Sequence, residues 1–371
     1  MHSVTSPENK ICQITLDIAI KAALPQAEQL FITGNLPELG DWDPAGNIVK
    51  ETSPGRHQVT LTARAGSIIE CKLTRGTWKT QAIFSCDDIP PSNLVIKVKK
   101  NKVYKVEIID WLDQLIIESD PVEGELITIT DLASSALEYQ RDIQVWLPDT
   151  YDHEGPPSSV IYMHDGQNLF EPAKTFAGVD WKIDETLTEL LQQQQIKNCI
   201  VVGIPNSPLR MQELDLATTE GQAYMSFITD IVKPYIDSQF NVAADAKNTM
   251  VMGSSMGGLM SLQMAIARPD VFSGAGCLSS AFSRSQNNLF AYVKKLGFLP
   301  DGLRIYLDTG EYEPPIVKDY FKMMHLLKKK GFNEGYNLMG LFDEKATHCE
   351  AAWAKRLGYP LRFLLRHENI I

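Results

Sequence analysis

No stretch of this chain holds the eighteen or more uninterrupted apolar residues of a membrane-spanning helix. Its opening, Met1-His-Ser-Val-Thr-Ser-Pro-Glu-Asn-Lys10, lacks the apolar segment of a secretory signal peptide, so a cytoplasmic location is the expectation. Basic charge is also scarce: the formal net charge is -11 and the pI near 5.2. Phosphate binding needs a concentrated basic surface, so nucleic acid is excluded as the expected partner. The one uninterrupted basic run, Lys328-Lys-Lys330, reads as the solvated end of a helix, and Lys97, Lys99, Lys100 and Lys102 surround an expected hairpin turn. The six cysteines, Cys12, Cys71, Cys86, Cys199, Cys277 and Cys349, form no C-x-x-C pair and no metal-ligand spacing, and four sit in or beside apolar runs. They read as reduced packing residues, not as disulfides or zinc ligands. No internal repeat is visible.

What remains has the composition of an ordinary enzyme, with 44% hydrophobic and 22% charged residues. At 371 residues the chain exceeds one hydrophobic core, and its grammar changes once. Short alternating strands are expected at Ile14 to Ile20, Leu30 to Gly34, His57 to Thr62, Ser67 to Leu73, Val95 to Lys99 and Val103 to Ile109. Gly, Pro and Asp/Asn turns separate them, which predicts a small antiparallel β-sandwich over residues 1–112. Residues 113–125 read as a linker. From 126 to 371 strands alternate with helices, predicting a mostly parallel sheet covered on both faces. Strands are expected at Ile127 to Thr130, Arg141 to Leu147, Ser159 to Met163, Asn198 to Gly203, Thr249 to Met252, Gly274 to Leu278, Leu303 to Leu307 and Asn337 to Phe342. Helices fit at Asp184 to Gln194, Gly221 to Gln239, Gly257 to Ala267 and Pro315 to Lys330.

The segment Thr249-Met-Val-Met-Gly-Ser-Ser-Met-Gly-Gly258 reads as a buried strand entering a sharp small-residue turn that presents Ser255. In a G-x-S-x-G elbow the nucleophile's backbone is strained, and a Cβ at the flanking positions would strike a neighbouring strand or helix. The bare pattern is weak, but strand, elbow and apolar helix occur here in the required order. A serine hydroxyl at neutral pH needs a histidine to take its proton and an acid to orient that histidine. In the α/β-hydrolase order both follow the serine. Of seven histidines only His325, His348 and His367 do so. His325 falls inside an amphipathic helix and His367 in the tail, while His348 lies just beyond a strand. The candidate acids, Asp308, Glu311 and Glu313, share one strand end, and spacing alone does not choose among them.

Several pieces together carry a resemblance: Tyr162-Met-His-Asp-Gly-Gln-Asn-Leu-Phe170, Val201-Val-Gly-Ile-Pro-Asn-Ser207 with Arg210 and Glu213, Gly253 to Gly258, Gly310-Glu-Tyr-Glu-Pro314, and His348-Cys-Glu-Ala-Ala-Trp353. Residues 126–371 resemble the "Putative esterase" family of α/β-hydrolases, which includes enterochelin esterases, feruloyl esterases and mycolyltransferases. The resemblance implies an α/β-hydrolase fold and a serine carboxylic-ester hydrolase working through an acyl-enzyme on Ser255. His348 would be the base, with Glu313 as the orienting acid and Asp308 as second choice. The backbone N–H of Met256 is the expected first oxyanion donor, and the Asp165 region of the Met163-His-Asp-Gly-Gln167 loop the second. His164 reads as a structural brace. Trp181 and Trp353 could line a pocket or the core. The chemistry requires no metal or cofactor, and no ligand set is visible.

Leu30-Phe-Ile-Thr-Gly-Asn-Leu-Pro-Glu-Leu-Gly-Asp-Trp-Asp-Pro-Ala-Gly46 is similar to the opening of starch-binding modules of carbohydrate-binding module family 20. The positions matching that family's first sugar site are Trp42, Lys72 and Trp78, while the second site has His57 where a tryptophan is needed. The resemblance implies an ester on or near an α-glucan or other saccharide. Transfer of the acyl group to a sugar hydroxyl, a siderophore-type ester substrate, and a catalytically silent binding protein are the other readings.

Overall fold

The structure is a computed structural model that describes residues 10–22, 28–40, 42–85, 91, 93–114, 121–130, 132, 134–175, 178–297 and 302–367. Cys86 and part of the expected linker lie outside these residues. The chain divides into two compact units, Met1–Ser119 with Phe176–Val179, and Asp120–Thr175 with Asp180–Ile371.

The first unit contains strands β1 (Ile11–Ile20), β2 (Phe31–Gly34), β3 (Asn47–Ile48), β4 (Lys50–Ser53), β5 (Arg56–Arg64), β6 (Ile68–Thr74), β7 (Ala82–Ile83), β8 (Leu94–Lys97), β9 (Lys102–Ile108) and β10 (Asp110–Trp111). Two four-stranded sheets form, in the orders β4-β5-β1-β9 and β3-β2-β6-β8. Along β1 the side chains of Cys12, Ile14, Leu16 and Ile18 are buried while their neighbours face outward, the period-2 alternation of a half-covered strand. These residues share one buried cluster with Ile32, Ile69, Cys71 and Leu73 of the other sheet. One pairing departs from the expected antiparallel pattern: β1 and β9 run parallel, Ile14 opposite Lys102 through Ile20 opposite Ile108. The chain visits the second sheet between these strands, and a long excursion can return it in either direction.

The second unit is built on an eight-stranded sheet of β11 (Glu125–Ile129), β12 (Ile143–Leu147), β13 (Ser159–His164), β14 (Cys199–Ile204), β15 (Thr249–Ser254), β16 (Gly274–Leu278), β17 (Arg304–Gly310) and β18 (Leu338–Asp343), in the order β11-β12-β14-β13-β15-β16-β17-β18. Pairing is antiparallel from β11 to β12 and β12 to β14, and parallel across the rest. Every residue of β13, β14, β15 and β16 is buried, as befits strands covered on two faces. Alternate residues enter different cores: Val160, Tyr162 and Val251 one, Ile161, Met163, Met250 and Met252 the other.

The helices are α1 (Ile183–Gln192), α2 (Arg210–Glu213), α3 (Thr219–Ser226), α4 (Lys233–Gln239), α5 (Met256–Ala267), α6 (Leu289–Lys295), α7 (Pro314–Lys329), α8 (Glu350–Arg356) and α9 (Gly358–Leu364). Helix α5 is buried from Met256 to Ile266, matching its nearly all-apolar sequence. Helix α7 instead buries a stripe, Tyr320, Met323, Met324 and Leu327, and starts with two prolines. The helix expected over Gly221 to Gln239 is interrupted by a π-helical stretch at Phe227–Val232. Pro234, just beyond, has no N–H to continue the α pattern, and the wider turn precedes it. Strand β11 begins at Glu125, inside the range expected as linker. Among the described residues no helix is long and apolar enough to cross a membrane.

Candidate active site

The carboxyl ends of β13, β15, β16, β17 and β18 lie side by side, because their parallel registers place Ser254 opposite Leu278 and Gly310 opposite Asp343. This rim is where an open α/β sheet presents functional groups. Ser255 stands on it, between β15 and α5, at φ 54° and ψ -116°, a conformation costly for a residue with a Cβ. Three backbone hydrogen bonds hold it. Its N–H donates to the Leu278 carbonyl at 2.9 Å, and its carbonyl accepts from Ala281 at 3.0 Å and Leu259 at 3.2 Å. The glycines around it are forced by packing: a Cβ on Gly253 would lie 2.8 Å from the Gly257 backbone, and one on Gly258 2.1 Å from Ser280 Oγ. Ser255 is half-buried between fully buried neighbours.

His348 follows β18, and its Nδ1 lies 2.9 Å from Glu313 Oε2. Glu313 is 2% exposed, and its second oxygen accepts from the Gly310 N–H at 2.9 Å and the Ser279 hydroxyl at 2.8 Å. The carboxylate is thus fully committed, with one oxygen left for the imidazole. Asp308 faces other partners. Arg356 grips it with two bonds of 2.9 and 3.0 Å, the Ser279 N–H donates to it at 2.8 Å, and the Tyr306 hydroxyl at 3.1 Å. Burial alone would lower the Arg356 pKa, and the facing Asp308 carboxylate more than reverses this, so the guanidinium stays charged. His325 is exposed on α7, and His367 is half-buried beyond α9.

Asp165 takes the left-handed conformation, φ 56° and ψ 44°, directly after β13. Its side chain is clamped by Arg210 and accepts from Asn206 Nδ2 at 2.7 Å. Burial raises the Asp165 carboxyl, but Arg210 and the hydrogen bonds hold it below the usual carboxylate range. This loop reaches the elbow: a Cβ on Gly257 would meet His164 Cβ at 3.2 Å and Asp165 Oδ2 at 3.6 Å. Met256 begins α5, so its N–H belongs to the helix's unpaired first turn. His164 is fully buried with Nδ1 2.9 Å from the Tyr224 hydroxyl, and burial lowers its pKa to about 4. It is a neutral brace under the elbow. Glu213 forms a buried pair with Arg141 at 2.6 Å.

Trp353 packs edge-on against the His348 ring, centroids 5.0 Å apart, with Trp181 behind it at 5.6 Å. Both tryptophans are at least 95% buried, Trp181 being 1% and Trp353 5% exposed, so they pack the core under the histidine. Among the described residues, one set of side chains, Asp180, Asp184 and Glu185, brings carboxylate oxygens within 4.8 Å of one another, close enough to hold a cation. The sequence reading had no sign of this set. It also missed Ser279, Tyr224, Asn206 and Arg356. For Ser279 alone there was a local signal, a polar pair directly after an apolar strand end.

In the first unit Trp42 is half-buried at φ 69°, and Trp78 is half-buried at the start of a short 3-10 turn, Trp78–Thr80. Lys72 is 9% exposed, and its ammonium donates to the Pro91 carbonyl at 2.5 Å. His57 is buried in β5.

The sequence pattern of the family described as "Putative esterase" matches residues 134–363, more than half of the chain. The chain belongs to that family, and it is a carboxylic-ester hydrolase. YbbA of Bacillus subtilis (strain 168), described as uncharacterized, is 22% identical over 244 residues, covering 60% of this chain and 92% of its own. Enterochelin esterase from Shigella flexneri is similar in structure with a TM-score of 0.57 and 15% identity, over 97% of this chain and 93% of its own. A ferulic acid esterase is similar with a TM-score of 0.53 and 17% identity, over 66% of this chain and 98% of its own. At these identities the two structures share the fold with this chain.

Proposed function

We propose that the protein is a serine esterase that works through an acyl-enzyme on Ser255. The observation that carries this reading is the 2.9 Å bond from His348 Nδ1 to the buried Glu313, on the same rim as the strained Ser255 elbow. With Nδ1 engaged by the carboxylate, Nε2 is the imidazole nitrogen that takes the serine proton. Ser255 Oγ attacks the ester carbonyl while His348 takes its proton, and the resulting imidazolium is stabilised by Glu313. The developing oxyanion is met by the Met256 N–H and by an N–H of the Asp165 region. Protonated His348 then gives its proton to the departing alcohol. A water molecule, deprotonated by the same histidine, releases the acid.

The substrate in this reading is an ester of a saccharide or similar polyol, with Trp42 and Trp78 supplying stacking faces in the first unit. Lys72, occupied by Pro91, contributes less to such a site than the resemblance implies. A siderophore-type ester is the second reading, favoured by the similarity of the enterochelin esterase across nearly the whole chain, where the ferulic acid esterase covers only part. The test is hydrolysis of nitrophenyl, acetylated-sugar and catecholate-serine esters by wild type and Ser255→Ala at matched folded concentration. Turnover abolished by the substitution supports the mechanism, and the preferred ester decides between the substrates. Full turnover by Ser255→Ala sinks the mechanism. Retarded migration through starch gels, lost in Trp42→Ala, tests the sugar site separately.

A further inference from the structure

We propose that Ser279 is a positioning residue for the Glu313–His348 pair, an inference that rests on the serine-esterase reading above. Ser279 is the first residue past β16, fully buried, and at φ 41°, where residues with a Cβ are rare. Its hydroxyl has three partners. Trp353 Nε1 lies at 2.9 Å and Arg356 Nη2 at 2.6 Å, and both of these groups can only donate. The single hydroxyl proton is therefore left for the third partner, Glu313 Oε1, at 2.8 Å. Two N–H donors fix the direction of the O–H, and the O–H in turn fixes the carboxylate. The main-chain N–H of Ser279 is bonded to Asp308, which itself holds Arg356, so backbone and side chain are pinned by the same ion pair.

The hydroxyl also separates two charges. Arg356 Nη2 is 3.8 Å from Glu313 Oε1, and Ser279 Oγ bonds to both. Besides Ser279, Glu313 is approached by the Gly310 N–H, by His348 from the segment after β18, and by Arg356 from α8. Arg356 is met by Asp308 on β17 and, at 3.7 Å, by Asp343 on β18. Asp308 also accepts from the Tyr306 hydroxyl. Without the hydroxyl, the guanidinium has an unused N–H directed at the carboxylate. Glu313 then pairs more strongly with Arg356 and less with His348, so the imidazolium formed during catalysis loses stabilisation.

The experiment compares wild type, Ser279→Ala and Ser279→Gly on an activated ester across pH, with Ser255→Ala alongside and folding checked by circular dichroism. For both Ser279 variants kcat should fall roughly 10- to 100-fold with KM within about twofold, the signature of an interaction used in the transition state. The acid limb of the kcat/KM profile should move to lower pH, because an imidazole with a weaker carboxylate partner protonates less readily. Ser279→Gly relieves the positive φ, so it carries the test if the alanine variant does not fold. Wild-type kcat and an unmoved acid limb in a folded Ser279 variant overturn the inference, as does a fall in kcat with the limb unmoved, which marks a merely structural role. An active Ser255→Ala overturns the serine-esterase reading and this inference with it. An inactive Ser255→Ala beside an unaffected Ser279→Ala overturns the inference alone.

Discussion

Asp165 and Arg210 meet in a two-bond fork, Nε to Oδ1 and Nη2 to Oδ2, each 2.7 Å long. The fork ties the left-handed residue after β13 to the first residue of α2, and so fixes the loop that faces the Ser255 elbow. Removing one partner of a buried pair strands the other charge. Arg210→Ala should therefore lower stability by about 3 kcal/mol in urea titrations. Its kcat should also fall, since the loop's N–H groups lose their fixed aim. Arg210→Lys restores the charge without the planar fork and should recover only part of either loss. Wild-type kcat in Arg210→Ala would remove the loop from the proposed oxyanion site.

The two carboxylates beside β17 should separate cleanly by readout. Glu313→Gln keeps the shape but not the charge that stabilises the imidazolium in the proposed mechanism, so kcat should drop by roughly 10³ or more with the fold retained. Asp308→Asn breaks the Arg356 pair and should cost about 3–5 kcal/mol of stability. Its kcat per folded molecule should fall less than that of Glu313→Gln. Stopped assays at matched folded fraction compare the two, and the reverse ranking would exchange their roles.

Acid should weaken the native state through His164. Its imidazole stays neutral in the native protein down to about pH 4, whereas an unfolded histidine takes up a proton near its ordinary value of 6.5. The unfolded chain binds the extra proton between those values, so stability from this residue is complete above about pH 6.5 and is lost as pH falls towards 4. The loss is of order 3 kcal/mol at 1.4 kcal/mol per tenfold. Urea midpoints measured at pH 7.5 and 4.5 should differ more for wild type than for His164→Gln. Equal differences would show that the brace does not resist protonation.

Gly253 leaves no room for a side chain, because each of the three nearest atoms to a Cβ, at 2.8 to 3.0 Å, is Gly257 backbone. Gly253→Ala must displace the first turn of α5 and should cost about 2–4 kcal/mol as well as most of the activity. Gly297, where a Cβ meets nothing within 4 Å, is the control: Gly297→Ala should change neither the thermal midpoint nor the rate. A soluble, active Gly253→Ala would contradict the packing of the elbow.

The elbow was readable because strand, glycines, serine and helix are consecutive, so the information is local. His348 stood out as the histidine just beyond a strand that follows the serine, whereas Glu313 was reached through the resemblance, since three carboxylates share that strand end and spacing treats them alike. The parallel pairing of β1 with β9 was not readable, because alternation along a strand reports which face is buried and not the direction of its neighbour. Helices α8 and α9, of seven residues each, are too short for their periodicity to stand out. Ser279 and Arg356 meet across 77 positions, and nothing in either local sequence announces that contact.

If Ser255 is the nucleophile proposed above, its φ of 54° sets folding and turnover against each other at one position. Glycine is the residue this backbone prefers, and a Ser255→Gly chain should be more stable than the wild type by about 1 kcal/mol while losing the proposed nucleophile. Drift towards stability alone would erase the serine. A serine kept at this position in a population of such chains is therefore a record that ester turnover has been under selection.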